Sequence, residues 1–181
     1  MAYLGYLYRL LLGAWIGGIL CFAALVAPAL FRVLGRDQAA AVVRQVIPTF
    51  DAFAIAAGVA LMVVSVFAEG ARGRSLIRLG LFAAMTAFAA VSLFALTPWM
   101  DELRARMGGE IAALDRGDPL RVAFGRLHAA STLLMFGQLV LGAIALGIPI
   151  RASSAPSSLR LPGAAVPLGA PAPLRTYDDP R

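Results

Sequence analysis

Lysine is absent from this chain of 181 residues, and only one cysteine and one histidine are present. The single cysteine, Cys21, excludes an internal disulfide and a multi-thiolate metal site, and in its apolar helix it is expected to be a small core residue. The single histidine, His128, excludes a bis-histidine haem, and the two residues together are too few for a structural zinc site. The six methionines are scattered, so they give a copper relay little support. The sequence therefore predicts no metal and no cofactor.

Charged residues are also scarce. They make up 14% of the chain against 60% hydrophobic residues, and the mean hydropathy is +0.81; soluble domains are about one quarter charged. The net charge of +6 comes from arginines placed between apolar stretches. This placement is typical of residues that flank membrane helices, and it argues against nucleic-acid binding.

Four apolar stretches are close to the roughly twenty residues that cross a bilayer as a helix. They cover residues 10–31, 52–68, 79–100 and 127–150. The sequence thus predicts an all-α, integral membrane four-helix bundle over residues 1–150. Residues 151–181 are rich in proline, serine and glycine, and we expect a disordered tail there.

Local signals refine the ends of these helices. Asp37 is expected to cap a short helix over residues 38–47, which Pro48 ends. Ser75 is expected to cap the third helix. Asp118, followed by a proline, predicts that the last helix begins before its apolar stretch.

The segment after the third apolar stretch is amphipathic. Pro98 should kink or end that helix. From there to Asp115, apolar residues recur on one helical face, which predicts a helix at the membrane surface that is interrupted near Gly108 and Gly109. The apolar residues on this face are Leu103, Met107, Ile111 and Leu114.

Small residues spaced four apart occur in every apolar stretch, as in helices that pack closely within lipid. One interpretation is packing inside the bundle. The other is a homodimer face on the first helix, formed by Gly13 and Gly17. The remaining pairs are Ala14 with Gly18, Ala54 with Gly58, Ala83 with Ala87, and Ala143 with Gly147.

Most polar or unusual residues should lie at the membrane face opposite the termini, because four crossings place both termini on one side. Ionisable residues near a membrane interior suggest function, and Asp51 could pair with Arg126 or Arg121. Structural interpretations exist as well: His128 could bond a neighbouring helix, Arg126 could snorkel, and Trp99 and Trp15 could belong to the aromatic belts. The candidate cluster consists of Asp51, Thr97, Trp99, Arg121, Arg126, His128 and Ser131.

The segments WIGGILCFAALVAPALF (15–31), VIPTF (46–50), LTPW (96–99) and RVAFGRLHAASTLL (121–134) resemble the transmembrane-protein-205-like family, or domain of unknown function 4149. The resemblance covers roughly residues 5–150 and implies a four-helix membrane protein without a particular activity. Beyond positions already in the candidate cluster, it points to Trp15, Gly17, Pro28, Phe31, Pro48 and Phe124.

No nucleophile–base pair and no phosphate-binding glycine loop is visible, so we expect no enzyme. The main hypothesis is a non-enzymatic membrane protein that acts through helix packing or partner contacts. One alternative is a small-solute or ion transporter with a polar site near His128 and Arg121; a redox subunit is a further alternative that lacks ligands. The arginine bias suggests a bacterial inner membrane, and the compact positive loop at Arg72, Arg74 and Arg78 favours cytoplasmic termini.

Overall fold

The computed structural model describes residues 2–69, 74–108 and 114–148. The predicted tail lies outside these residues. The described elements, in order, are α1 (Ala2–Cys21), a π-helical turn (Phe22–Val26), α2 (Ala27–Val33), α3 (Arg36–Glu69), α4 (Arg74–Val91), a second π-helical turn (Ser92–Leu96), α5 (Thr97–Arg106) and α6 (Pro119–Leu146).

Four helical runs within the described residues are long and apolar enough to cross a membrane. We name them span one (Tyr3–Val33), span two (Arg36–Phe67), span three (Ser75–Arg106) and span four (Pro119–Leu146). The predicted all-α four-helix membrane bundle is thereby confirmed. Spans one and three lie diagonally, and each packs against spans two and four.

Span two is longer than predicted, because α3 continues through Pro48 without a break. A proline removes one backbone donor, and packing on both sides of it can outweigh that loss. The predicted short helix over residues 38–47 is therefore wrong as a separate element. The predicted cap is wrong too: the helix begins at Arg36, and the Gly35 carbonyl accepts the first bond from Ala39 at 2.9 Å.

Prolines in spans one and three are accommodated by wider turns. A π-helical turn precedes both Pro28 and Pro98, and the helix continues after each. Pro98 therefore does not end its helix. The wider turn provides room for the proline ring, which would clash with the carbonyl four residues earlier in a regular helix.

The amphipathic segment begins as α5, which is a continuation of span three. The helix ends at Arg106, and Gly108 has a φ of +71°, so the predicted interruption is confirmed there. Residues 109–113, including Ile111, lie outside the described residues.

The predicted start of span four is also confirmed. The Asp118 carboxylate accepts from the Leu120 and Arg121 amides at 2.8 and 3.4 Å, which satisfies donors in the first turn. Ser75, in contrast, lies inside α4 rather than before it, so it is not a cap.

The second half of the bundle repeats the first. Both π-helical turns, and the prolines after them, are separated by an offset of 70 residues. The buried positions share this offset: Tyr8, Leu12, Trp15 and Ile19 in span one, and Arg78, Phe82, Met85 and Ala89 in span three.

Spans two and four correspond at an offset of 84 residues, because the connection before span four is longer. Buried positions again match: Ala54, Gly58 and Leu61 in span two, and Gln138, Gly142 and Ala145 in span four. Each glycine of these sets contacts one residue from span one and one from span three: Trp15 and Thr86 for Gly58, and Ile16 and Met85 for Gly142. Because Trp15 corresponds to Met85 and Ile16 to Thr86, the repeat extends from the backbone to the side-chain contacts.

Candidate functional site

Buried polar side chains occur at three levels inside the bundle. The level nearest the termini contains Ser65, Ser75 and Arg78, all fully buried, and Tyr8. The Tyr8 hydroxyl donates to the Ala145 carbonyl at 3.2 Å. The Ser75 hydroxyl has no hydrogen-bond partner among the described residues.

The middle level is centred on Trp15. Its indole Nε1–H donates to Gln138 Oε1 at 3.0 Å, and both side chains are buried. The ring lies against Gly58, and Thr86 lies beside the same glycine. The aromatic-belt interpretation of Trp15 is therefore wrong: the side chain is in the core, where its single N–H needs an internal acceptor.

The third level contains Asp51 and Ser92. Asp51 is only 5% exposed, and the Ser92 hydroxyl, at the start of the second π-helical turn, donates a hydrogen bond to its carboxylate. Arg44 precedes Asp51 by seven residues, which is about 10 Å along a helix. Asp51 thus lies well inside the bundle and not at the edge of span two, as the predicted bounds of 52–68 implied.

The expected pairing of Asp51 with an arginine of span four is not formed. Arg126 is exposed, and the Arg121 guanidinium donates to the Leu114 carbonyl. Ser92 occupies the position next to the carboxylate instead.

His128 points outward from the bundle. Its side chain is exposed, and its ring is stacked on Phe124 with centroids 6.5 Å apart and planes 3° apart. The hydroxyls of Ser131 and Thr132 both donate to the His128 backbone carbonyl at 2.9 Å. These residues share one side of span four, because they are three and four positions apart in a helix, but that side does not meet Asp51.

The other candidates at this end of the bundle are also peripheral. Thr97 is half-buried at the start of α5, and Trp99 is 58% exposed, in keeping with a place in the aromatic belt. Of the seven residues in the predicted cluster, only Asp51 is buried in the interior.

Arg104, which sequence reasoning missed, joins spans three and four at their outer end. Its guanidinium lies 5.1 Å from the centre of the Phe124 ring and 3.0 Å from Asp101 Oδ1. An arginine over an aromatic face gains both electrostatic attraction and packing. This contact gives Phe124 a structural role.

The positions suggested by the family resemblance separate into interior and exterior groups. Trp15 is buried, and Pro48 and Phe124 are half-buried. Gly17, Pro28 and Phe31 are exposed. The resemblance therefore does not mark a single site.

Two of the five small-residue pairs contribute to packing inside the bundle. Ala54 and Gly58 are buried, and Gly18 lies against the Phe50 ring. For the other pairs, the prediction of internal packing is wrong, because Gly13 and Gly17 have nothing within 4 Å of an added Cβ and the remaining members are exposed: Ala83, Ala87, Ala143 and Gly147. Cys21, expected in the core, is exposed as well.

Gln138, Ser92 and Arg78 are interior polar residues that the candidate cluster did not include. The sequence held a signal for Gln138 and Ser92, since each is a polar residue within a long apolar stretch. The chain gives no periodic signal that would have paired Ser92 with Asp51, because the π-helical turn changes the helical phase at that point.

The described residues contain no group of three or more His, Cys, Asp or Glu side chains placed to hold a metal ion. The fold and hydropathy define a multi-pass, four-helix membrane protein. Residues 10–108, more than half of the chain, match the family described as Domain of unknown function (DUF4149), and the chain belongs to this family. The match covers most of span one and all of spans two and three, and the span-four motif lies beyond it. No curated protein and no solved structure matches the chain.

Proposed function

We propose that this chain is a non-enzymatic membrane protein that acts through contacts between its helices and those of a partner, beginning with a second copy of itself. The observation that carries the proposal is the outward direction of Gly13 and Gly17, where an added Cβ would meet no atom of the described residues within 4 Å. Within lipid, small residues promote helix association because they let two backbones approach closely.

The face around these glycines is well separated from the core of its own bundle. Gly13, Gly17 and Cys21 recur every four residues and so lie along one stripe of α1. The buried residues of α1, including Leu12 and Trp15, lie on the opposite side. A partner helix could therefore approach this stripe without disturbing the bundle.

The transporter alternative required a shared polar cavity near His128 and Arg121. The outward direction of His128 and the bond of Arg121 to a loop carbonyl do not favour it at that place. For localisation, we propose a bacterial inner membrane with cytoplasmic termini. The arginine-rich composition and the compact positive loop between spans two and three support this assignment.

Cys21 gives a direct test, because it is the only cysteine and lies on the proposed contact stripe. Oxidation of the full chain in membranes with copper phenanthroline should produce a disulfide-linked dimer on a non-reducing gel. Gly17→Leu should reduce the dimer fraction. Gly80→Leu is the matched control, because Gly80 is also exposed and open but lies on span three.

A relocated cysteine distinguishes a specific contact from random collision. Leu133 is 70% exposed on span four, so Leu133→Cys combined with Cys21→Ser provides a reference level. Cross-linking through Cys21 that is no greater than this reference would refute the proposed dimer face.

A further inference from the structure

The internal repeat places an apolar pair at the positions that correspond to Asp51 and Ser92. Ser92 corresponds to Phe22 at the offset of 70 residues, and Asp51 corresponds to Met135 at the offset of 84 residues. Both counterparts are half-buried. The same helical frame is therefore built with hydrophobic side chains at these positions, so its geometry does not require a carboxylate and a hydroxyl.

The Asp51 carboxylate is incompletely satisfied. One hydrogen bond comes from Ser92, but Oδ2 is buried and has no hydrogen-bond partner within the described residues. An unpaired carboxylate oxygen in apolar surroundings is costly unless a positive charge or a donor reaches it. The free oxygen thus points to a ligand.

Cationic side chains do not reach this level on the spans that pack against α3. Between Arg9 and Arg32 of span one, the only titratable side chain is Cys21, which is exposed. Between Arg78 and Asp101 of span three, the sequence has none. The histidine of span four points outward, so the neighbouring spans leave the carboxylate without a counter-ion.

We propose that Asp51 and Ser92 form a binding site for one monovalent cation, a proton or Na⁺, inside the membrane. A proton would bond to Oδ2 and convert the carboxylate to a neutral carboxyl group. Na⁺ would bind the same oxygen together with the Ser92 hydroxyl, because hard cations prefer oxygen ligands. Either cation neutralises the site, and its release restores the carboxylate. This inference is independent of the proposed dimer contact.

The proposed cation site includes the start of the second π-helical turn and lies next to the middle level of the bundle. Such turns often occur at functional positions within helices. Towards the termini, Trp15 packs on Gly58, seven residues or about two turns beyond Asp51, and its bond to Gln138 holds the ring in place. The cation therefore exchanges with the membrane face opposite the termini.

Dicyclohexylcarbodiimide tests the site directly, because this apolar reagent reacts with protonated carboxyl groups in membranes. The full chain, reconstituted in phosphatidylcholine vesicles, is treated across a range of pH, and the modified peptide is quantified by mass spectrometry. We expect modification at Asp51, with a rate that falls about tenfold per pH unit where the carboxyl ionises. Slower modification in NaCl than in an equal concentration of choline chloride identifies Na⁺; no difference between the salts identifies the proton.

Two serine variants show whether the hydroxyl belongs to the site. Ser92→Ala should move the pH at which the rate falls. Ser65→Ala is the matched control and should leave the profile unchanged. The buried Ser65 hydroxyl donates to the Leu61 carbonyl of its own helix, at 2.7 Å, and does not contact Asp51. In the protein without substitutions, absence of modification at Asp51 would overturn the proposal. A modification rate that changes with neither pH nor Na⁺ would overturn it as well.

Discussion

Spans one and three are two versions of the same helix. Each widens into a π-helical turn before a proline, and their buried positions correspond. The turn of span one buries no residue, whereas the turn of span three buries Ser92 and Leu96, and Ser92 bonds to Asp51. The proline accounts for the shape of both turns, but only one of the two turns carries polar chemistry.

The contact between spans one and two can be compared with the contact between spans three and four. Gly18 of span one receives the Phe50 ring from span two. At the equivalent position span three has Phe88, and its ring lies against Gly137 of span four. The glycine and the phenylalanine have exchanged spans, and a close contact is kept, although Gly137 lies about one turn beyond Leu134, which is the counterpart of Phe50. The frame therefore depends on complementary volume and not on particular residues, so the polar pair stands out as a feature added to it.

The largest predicted effect is at Gly58, where spans one and three both reach span two. An added Cβ would overlap the Thr86 hydroxyl and lie 3.1 Å from the Trp15 ring. Gly58→Ala should destabilise the bundle by about 1–3 kcal/mol, as overpacking does. The measurement is SDS-induced unfolding in mixed micelles, followed by circular dichroism. Gly80→Ala is the control, because Gly80 is exposed and an added Cβ there meets no described atom within 4 Å. An equal loss in both variants would show that packing at Gly58 is not the cause.

The next largest loss of stability is predicted for substitution of Trp15, and substitution of its counterpart Met85 serves as the comparison. Trp15→Phe leaves the buried Gln138 amide without its donor and should cost about 1–3 kcal/mol in the same assay. Met85→Leu conserves volume and should cost less than about 1.5 kcal/mol. Adding Gln138→Leu to Trp15→Phe should recover part of the loss. If the second substitution only adds to the damage, the hydrogen bond is not the cause.

Replacing each proline tests the two turns. Pro98→Ala should let the turn tighten and shift Ser92 away from Asp51, at a cost of about 1 kcal/mol for the lost hydrogen bond. Pro28→Ala should change the free energy of unfolding by no more than about 0.5 kcal/mol, since the first turn buries nothing. Equal effects in the two variants would show that the turns are not functionally different.

The smallest effect is predicted for His128, which belongs to neither turn. His128→Ala should change the free energy of unfolding by about 0.5 kcal/mol or less, because the ring is exposed and only stacks on Phe124. A loss above about 2 kcal/mol would place the side chain in a packed interior and contradict the geometry.

The bundle was accessible from sequence because long apolar stretches and an Asp–Pro start are local signals. The site was less accessible for a physical reason. The sequence prediction bounded each apolar stretch by its flanking charged residues, which placed Asp51 at the membrane interface. The uninterrupted helix α3 places Asp51 inside the bundle instead. Charge complementarity then suggested an arginine partner, but Ser92 is brought to the carboxylate by a π-helical turn that helical periodicity does not anticipate. Span-four residues such as His128 share a stripe, yet spacing alone does not reveal which way a stripe faces.

Two double-mutant cycles test most directly whether the polar centre of the protein lies inside the bundle. Asp51→Asn is combined with Ser92→Ala in one cycle and with Arg121→Ala in the other, and the free energy of unfolding is measured for every variant. The structure predicts a coupling of about 0.5–3 kcal/mol with Ser92 and additivity within about 0.5 kcal/mol with Arg121. Additivity with Ser92 together with coupling to Arg121 would contradict it and return the site to the outer end of span four.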